Sequence, residues 1–254
     1  MNLTEEKILS NWNNLLQAIN NNFSGDRQTG LLEMYNNFSD KMMLAPASGI
    51  EHFHNCFAGG YVDHVLNVMQ CTEKLYDLWT EMGADMSGYT KEEIMFCALN
   101  HDLGKVGDID NEYYVPNPSD WHRKNQGKIY DPNPNIQHMT VPHRGIWLLS
   151  QFGIVMSQNE MIGILTHDGV YDSANDVYLK PYGKEKALWN NLPIVLHHGD
   201  HMAARIEYEK WKSGSEIKTA FSKAPKSYTK KPKISSSESS QAQDMFKDLF
   251  GDSE

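Results

Sequence analysis

Apolar residues in this chain recur at three- and four-residue spacing, while alternation sustained long enough for a strand is hard to find, so the fold class expected is all-α. Ile8, Trp12, Leu15, Leu16 and Ile19 fall on one stripe behind Thr4, whose hydroxyl suits a helix N-cap. A second helix is expected over residues 29–43. After the turn-rich APASG, the pair Gly59-Gly60 precedes a helix over residues 61–80 with Val65, Val68, Met69, Leu75 and Leu78 facing inward and His64 in its first turn. Thr90 and Glu93 form a capping box for KEEIMFCALNHDLG, which puts Ile94, Cys97, Ala98 and His101 on one face and suits Gly104 to a left-handed stop. Residues 107–142 carry five prolines, which points to an ordered, substrate-facing loop with one hairpin. Helices resume over residues 143–152, 157–167 (Ser157 and Glu160 make a second capping box) and 184–212.

At 254 residues the chain is long enough for one helical domain of about 200 residues with a flexible end. The organisation read from it is helices over residues 1–48 packing on a main domain of residues 49–212, a basic disordered linker over 213–242 and a docking peptide over 243–254. Three cysteines with no CxxC pair point to reduced thiols and exclude a zinc ribbon. Without an apolar leader or a membrane-length apolar run, the expectation is a soluble, cytoplasmic protein. Residues 1–209 hold 14 basic and 27 acidic groups, so the body repels long nucleic acid unless metal ions or a local basic patch offset it.

All 11 histidines lie between His52 and His201. Among them His64 and His101, with the carboxylates Asp102 and Asp200, sit in or beside helices with apolar neighbours. A charged Asp there is costly unless it is paired or bound to metal. Two imidazoles and two carboxylates suit one divalent ion such as Mn, Fe, Co, Ni, Zn or Mg. Lys105, one turn past Asp102, would set a cation against a substrate phosphate. Arg123, Lys124 and Lys128, with Arg144 further on, form the basic cluster of the acidic body and suit phosphate oxygens, and Trp121, Tyr130 or Tyr114 could stack on a base. His52, His54, His122, His138, His197, His198 and His201 are read as structural or as supports for ligands.

The succession FHNCFAGGYVDHVLNV, ALNHDLGK and HHGDHMAA resembles the HD-domain metal-dependent phosphohydrolase superfamily over residues 51–209. Its opening is most similar to the HD domain of 3′-5′ exoribonucleases, although no segment reads as their OB-fold, which weighs against polynucleotide substrates. The resemblance implies a helical bundle with metal ligands at His64, His101, Asp102 and Asp200. It further implies His143 and His167 either as ligands of a second ion bridged by Asp102 or as phosphate contacts. Asp168 stands where relatives often carry a second histidine, and its role as ligand, proton acceptor or support for His167 is open. The implied activity is hydrolysis of a phosphoester or phosphoanhydride of a nucleotide or nucleic-acid end. A silent nucleotide-sensing module and a di-iron oxygenase are the alternatives.

The segment 210–233 holds eight Lys and one Glu, and beyond it Gln243, Phe246, Leu249 and Phe250 are spaced like a sliding-clamp-binding peptide at the end of a replication protein, including those of tailed phages. The partner expected from that pattern is a sliding clamp or polymerase complex.

Overall fold

Thr4 accepts a hydrogen bond from the Lys7 amide and starts α1 (Glu5–Asn22), whose Ile8, Trp12, Leu15 and Ile19 are buried while Leu16 is partly covered. The computed structural model describes residues 3–181, 183, 185 and 187–214, and over these the protein is all-α with one small antiparallel hairpin. The linker beyond residue 214 and the docking peptide with Gln243, Phe246, Leu249 and Phe250 lie outside the described residues.

The helix expected over residues 29–43 is two helices, α2 (Gly25–Asn37) and α3 (Ser39–Leu44). Between them Phe38 is buried with its ring edge-on to Phe152 at 5.4 Å. Packing of that ring, rather than a Gly or Pro, sets the break. Leu31, Met34, Tyr35 and Met42 enter the same core as the later helices, so residues 5–44 complete the core rather than decorate it.

Next come α4 (Gly60–Glu81) and α5 (Lys91–Asn100). Gly59 caps α4 at φ +83°, and a Cβ on Gly60 would stand 2.0 Å from the Asn55 carbonyl oxygen, so the GG pair is required by turn geometry and close approach. Residues 60–69 of α4 are all buried, whereas Leu78, expected inside, is 47% exposed. Gly104 lies in a 3-10 turn after α5 rather than at a left-handed stop. What requires a glycine there is the carbonyl oxygen of Val141, 2.1 Å from where a Cβ would sit.

The proline-rich stretch is ordered as a hairpin, β1 (Tyr114–Pro116) against β2 (Tyr130–Pro132), with a short α6 (Asp120–Gln126) between the strands. Gly49 holds the hairpin to the body, its carbonyl accepting from Ile129 N (3.0 Å) and Tyr130 N (3.1 Å). Then follow α7 (Val141–Gln151), α8 (Gln158–Thr166), α9 (Asp176–Leu179) and α10 (Leu192–Ser213). The last helix starts eight residues later than expected, with Pro193 in its first turn. It lies along α4, and a Cβ on Gly199 would meet Thr72 Oγ1 at 2.2 Å. Cys56, Cys71 and Cys97 are free thiols. Among the described residues no helix is long and apolar enough to cross a membrane.

Candidate metal centre

Two helices of nearly equal length deliver the central residues. Both begin with a complete capping box, Thr90/Glu93 for α5 and Ser157/Glu160 for α8. The two boxes are joined, because the Ser157 hydroxyl donates to Glu93 Oε1 (2.6 Å) and Asn159 Nδ2 donates to the same oxygen (3.2 Å). The helices therefore run parallel from a common start. Each ends in a His-Asp pair, His101-Asp102 and His167-Asp168, and the two imidazole rings meet edge-on with centroids 5.1 Å apart. From the other side α4 supplies His64 and α10 supplies Asp200.

His64, His101, Asp102, His167 and Asp200 converge. His64 Nε2 lies 3.2 Å from Asp200 Oδ1 and 3.7 Å from Asp102 Oδ2. His101 Nε2 lies 3.4 Å from Asp102 Oδ2 and 3.9 Å from Asp200 Oδ1. The second oxygen of Asp102 faces the other way, 3.6 Å from His167 Nε2. Asp168, half exposed, approaches the same nitrogen at 3.7 Å.

The far nitrogen of each imidazole is fixed. His64 Nδ1 is 3.0 Å from Glu207 Oε2, His101 Nδ1 is 2.9 Å from the Ala98 carbonyl, and His167 Nδ1 is 2.8 Å from the Ile164 carbonyl. Placing the ring proton on Nδ1 in each case directs the Nε2 lone pair into the cluster, the arrangement metal-ligating histidines use. The Nε2 atoms of His64 and His101 are buried and make no hydrogen bond among the described residues, although Asp200 Oδ1 lies 3.2 Å from the first. Unpaired buried polar atoms are uncommon in a folded protein. Two of them facing two carboxylates fit a cation, and His64, His101 and Asp200 form one group whose ligand atoms could hold a metal ion.

The electrostatics agree. Burial opposes the charge on Asp102, yet the Lys105 ammonium, 2.7 Å from Oδ2, and His101 hold its pKa well below the usual carboxylate range. Burial would also lower the pKa of His64 and His167, but the surrounding carboxylates prevail, Glu207 and Asp200 pushing His64 up to about 10 and Asp102 and Asp168 pushing His167 up to about 9. The carboxylates that hold those protons also favour a cation in their place. Below these values an incoming ion competes with protons, and above them the nitrogens are already free. Ion affinity should accordingly tighten with rising pH from about pH 6 to 9, by about tenfold per unit for each proton displaced. Mn²⁺ titrations followed by electron paramagnetic resonance would measure this, and an affinity flat across that range would contradict the assignment.

The other expected site residues make contacts of their own. His143 is exposed in the first turn of α7, with Nδ1 2.6 Å from Thr140 Oγ1, and belongs to neither of the ligand groups found among the described residues. Arg144, expected to grip phosphate, is only 2% exposed. Its guanidinium donates to the carbonyls of Gly104 and Gln137 and stacks over Tyr113 at 5.0 Å, which makes it a brace between α7 and the HDLGK turn. Arg123 is engaged with the Asn117 carbonyl and with Asp120, and Lys128 with Asp131 at 2.6 Å, while Lys124 is exposed. The basic cluster thus largely stabilises α6 and the hairpin.

Two further contributors are His54, expected only as a structural or supporting residue, and Glu207, for which the sequence carries no signal. His54 stacks on His64 at 4.5 Å, its Nε2 is buried without a hydrogen bond, and with His64 and Asp102 it forms the second group able to hold an ion. Burial, His64 and Lys105 keep its pKa well below the ordinary value, so the imidazole is neutral. Glu207, two turns after Asp200, orients His64 and accepts from Asn67 Nδ2 at 2.8 Å. Replacing Glu207 with Gln should weaken ion binding by about 10–100-fold, as for other partners of metal-bound histidines. Equilibrium dialysis of both forms against Mn²⁺ checks this, and equal affinities would remove Glu207 from the centre.

No family model, curated protein or solved structure matches the chain.

Proposed function

We propose that this protein is a divalent-metal-dependent phosphohydrolase of the HD type, cleaving a phosphoester or phosphoanhydride bond in a nucleotide or nucleic-acid end. The observation that supports it most is the convergence on Asp102 and Asp200 of buried imidazole nitrogens that make no hydrogen bond among the described residues, beside a partly buried lysine. His64, His101, Asp102 and Asp200 would hold one ion, with His54 within reach of the same point. His167, on the second oxygen of Asp102, would serve a second ion or a phosphate oxygen. The ion would lower the pKa of a bound water and neutralise phosphoryl charge.

The chain's own groups do the rest. Burial would lower the Lys105 pKa, but the Asp102 carboxylate raises it, so the ammonium stays charged beside the centre, where it can bind a phosphoryl oxygen. Asp168, half open to solvent at the rim, can accept a proton at Oδ1 from an entering water. Glu207 and the helix-end carbonyls keep the imidazoles oriented through the reaction.

The terminal peptide Gln243, Phe246, Leu249 and Phe250 would tether the enzyme to a sliding clamp or polymerase complex. The activity is tested by incubating the purified full chain with Mn²⁺ and a panel of nucleotides and 3′-labelled oligonucleotides. Ion-dependent product release is expected, and release no greater than that of Asp102→Ala would overturn the proposal. Elemental analysis of the purified protein identifies the ion.

A further inference from the structure

Lys105 belongs to two places at once. Its Nζ is 2.7 Å from Asp102 Oδ2, and its side chain also lines a cavity of about 310 Å³ between the end of α3, the turn after α5 and the hairpin. The walls are largely apolar and aromatic, with Pro46, Val106, Tyr114 and Tyr130 among them. Tyr114 and Tyr130, one on each strand of the hairpin, hold their ring centroids 6.3 Å apart, and the Gly49 carbonyl fixes the backbone of Tyr130. Of the other charged lining groups, Lys41 donates to the carbonyls of Asp108 and Ile109, while Asp40 and Glu112 are exposed acids able to accept from N–H donors.

We propose that this cavity receives the base of a single nucleoside phosphate whose phosphate lies against Lys105 and the metal centre. Its volume is at the lower end of small-molecule sites, enough for one nucleoside and short of a second nucleotide. Tyrosine rings offer flat apolar faces for stacking, which every base can use. Acceptors of the Asp40 and Glu112 kind favour a base that presents amino or ring N–H donors. An aliphatic phosphate would leave the aromatic walls uncovered, and a long strand would meet an acidic body of 14 basic and 27 acidic groups over residues 1–209. The specificity residues are therefore Tyr114 and Tyr130, contributed by the irregular stretch rather than by the helices that hold the ion. This inference rests on the phosphohydrolase reading for the phosphate end of the ligand.

The test is equilibrium binding by calorimetry on the full chain, with adenosine 5′-monophosphate and ribose 5-phosphate as probes and Ca²⁺ in place of a transition ion. The wild type should bind the nucleotide at least about tenfold more tightly than the sugar phosphate, the share expected from one stacked base. In Tyr114→Ala that ratio should fall to about one. Ala58→Leu, which fills the cavity without removing a wall, should lower it as well and guards against a misfolded Tyr114 variant. A wild-type ratio near one, or a ratio unchanged in both folded variants, would overturn the proposal. The two readings fail separately, because base-dependent binding without ion-dependent hydrolysis sinks the enzymatic reading alone. Hydrolysis that ignores the base sinks this one.

Discussion

Under the proposed function, Asp102→Asn is expected to lower ion-dependent phosphoester turnover by about 10³-fold or more, and to remove the rise in unfolding temperature that Mn²⁺ is expected to give the wild type. The size of the effect follows from position. Asp102 Oδ2 faces His64, His101 and Lys105 while Oδ1 faces His167, so one carboxylate joins three imidazoles and the lysine. An amide of the same shape removes the charge and turns one of the two acceptors into a donor aimed at Lys105 or an imidazole. Turnover and thermal unfolding, each with and without Mn²⁺, report on this independently. A variant that keeps its ion-dependent stabilisation and turns over within about tenfold of wild type would place the chemistry elsewhere.

The largest stability effect is expected from Arg27→Ala. The Arg27 guanidinium forks onto both oxygens of Glu160, donating to Oε2 at 3.1 Å, and lies 4.7 Å over the Phe96 ring. Glu160 is fully buried, and its Oε2 also accepts from the Ser157 amide in the capping box. Removing the arginine strands that carboxylate in the interior at a cost of about 3–5 kcal/mol. That is a large part of the 5–15 kcal/mol by which a domain is typically stable. Urea unfolding of both forms measures it, and a loss below about 1 kcal/mol would mean that water replaces the guanidinium.

Features that depend on neighbours in the chain were readable in the sequence. Both capping boxes lie within four residues, and the apolar stripe of α1 and the start of α4 follow from spacing and from GG. The grouping of His64 with Asp200 followed from the resemblance of the motifs, supported by the cost of leaving a charged Asp unpaired among apolar neighbours. Features that depend on distant contacts were not readable. His54 reaches the centre because the turn before α4, with Asn55 at φ +42°, folds back over His64. Glu207 looks like any acid on a solvated helix until α4 covers it. Arg144 was misread because a basic residue after a histidine suggests phosphate, whereas the Tyr113 ring and two carbonyls claim it. The late start of α10 has a similar origin, because Asn190 and Asn191 tie to Gly88, Asn159 and Asp85 and hold the chain out of the helix until Leu192.

The paired helices α5 and α8 act as a length gauge. Their starts are stapled together through Glu93 and Ser157, so neither can slide to absorb an added or deleted residue. One residue more in either helix would advance its terminal His-Asp pair by about 1.5 Å and swing it about 100° around the axis, out of the cluster. Substitutions along these two helices can therefore accumulate wherever packing allows, but between residues 90 and 102 and between 157 and 168 the count itself is fixed.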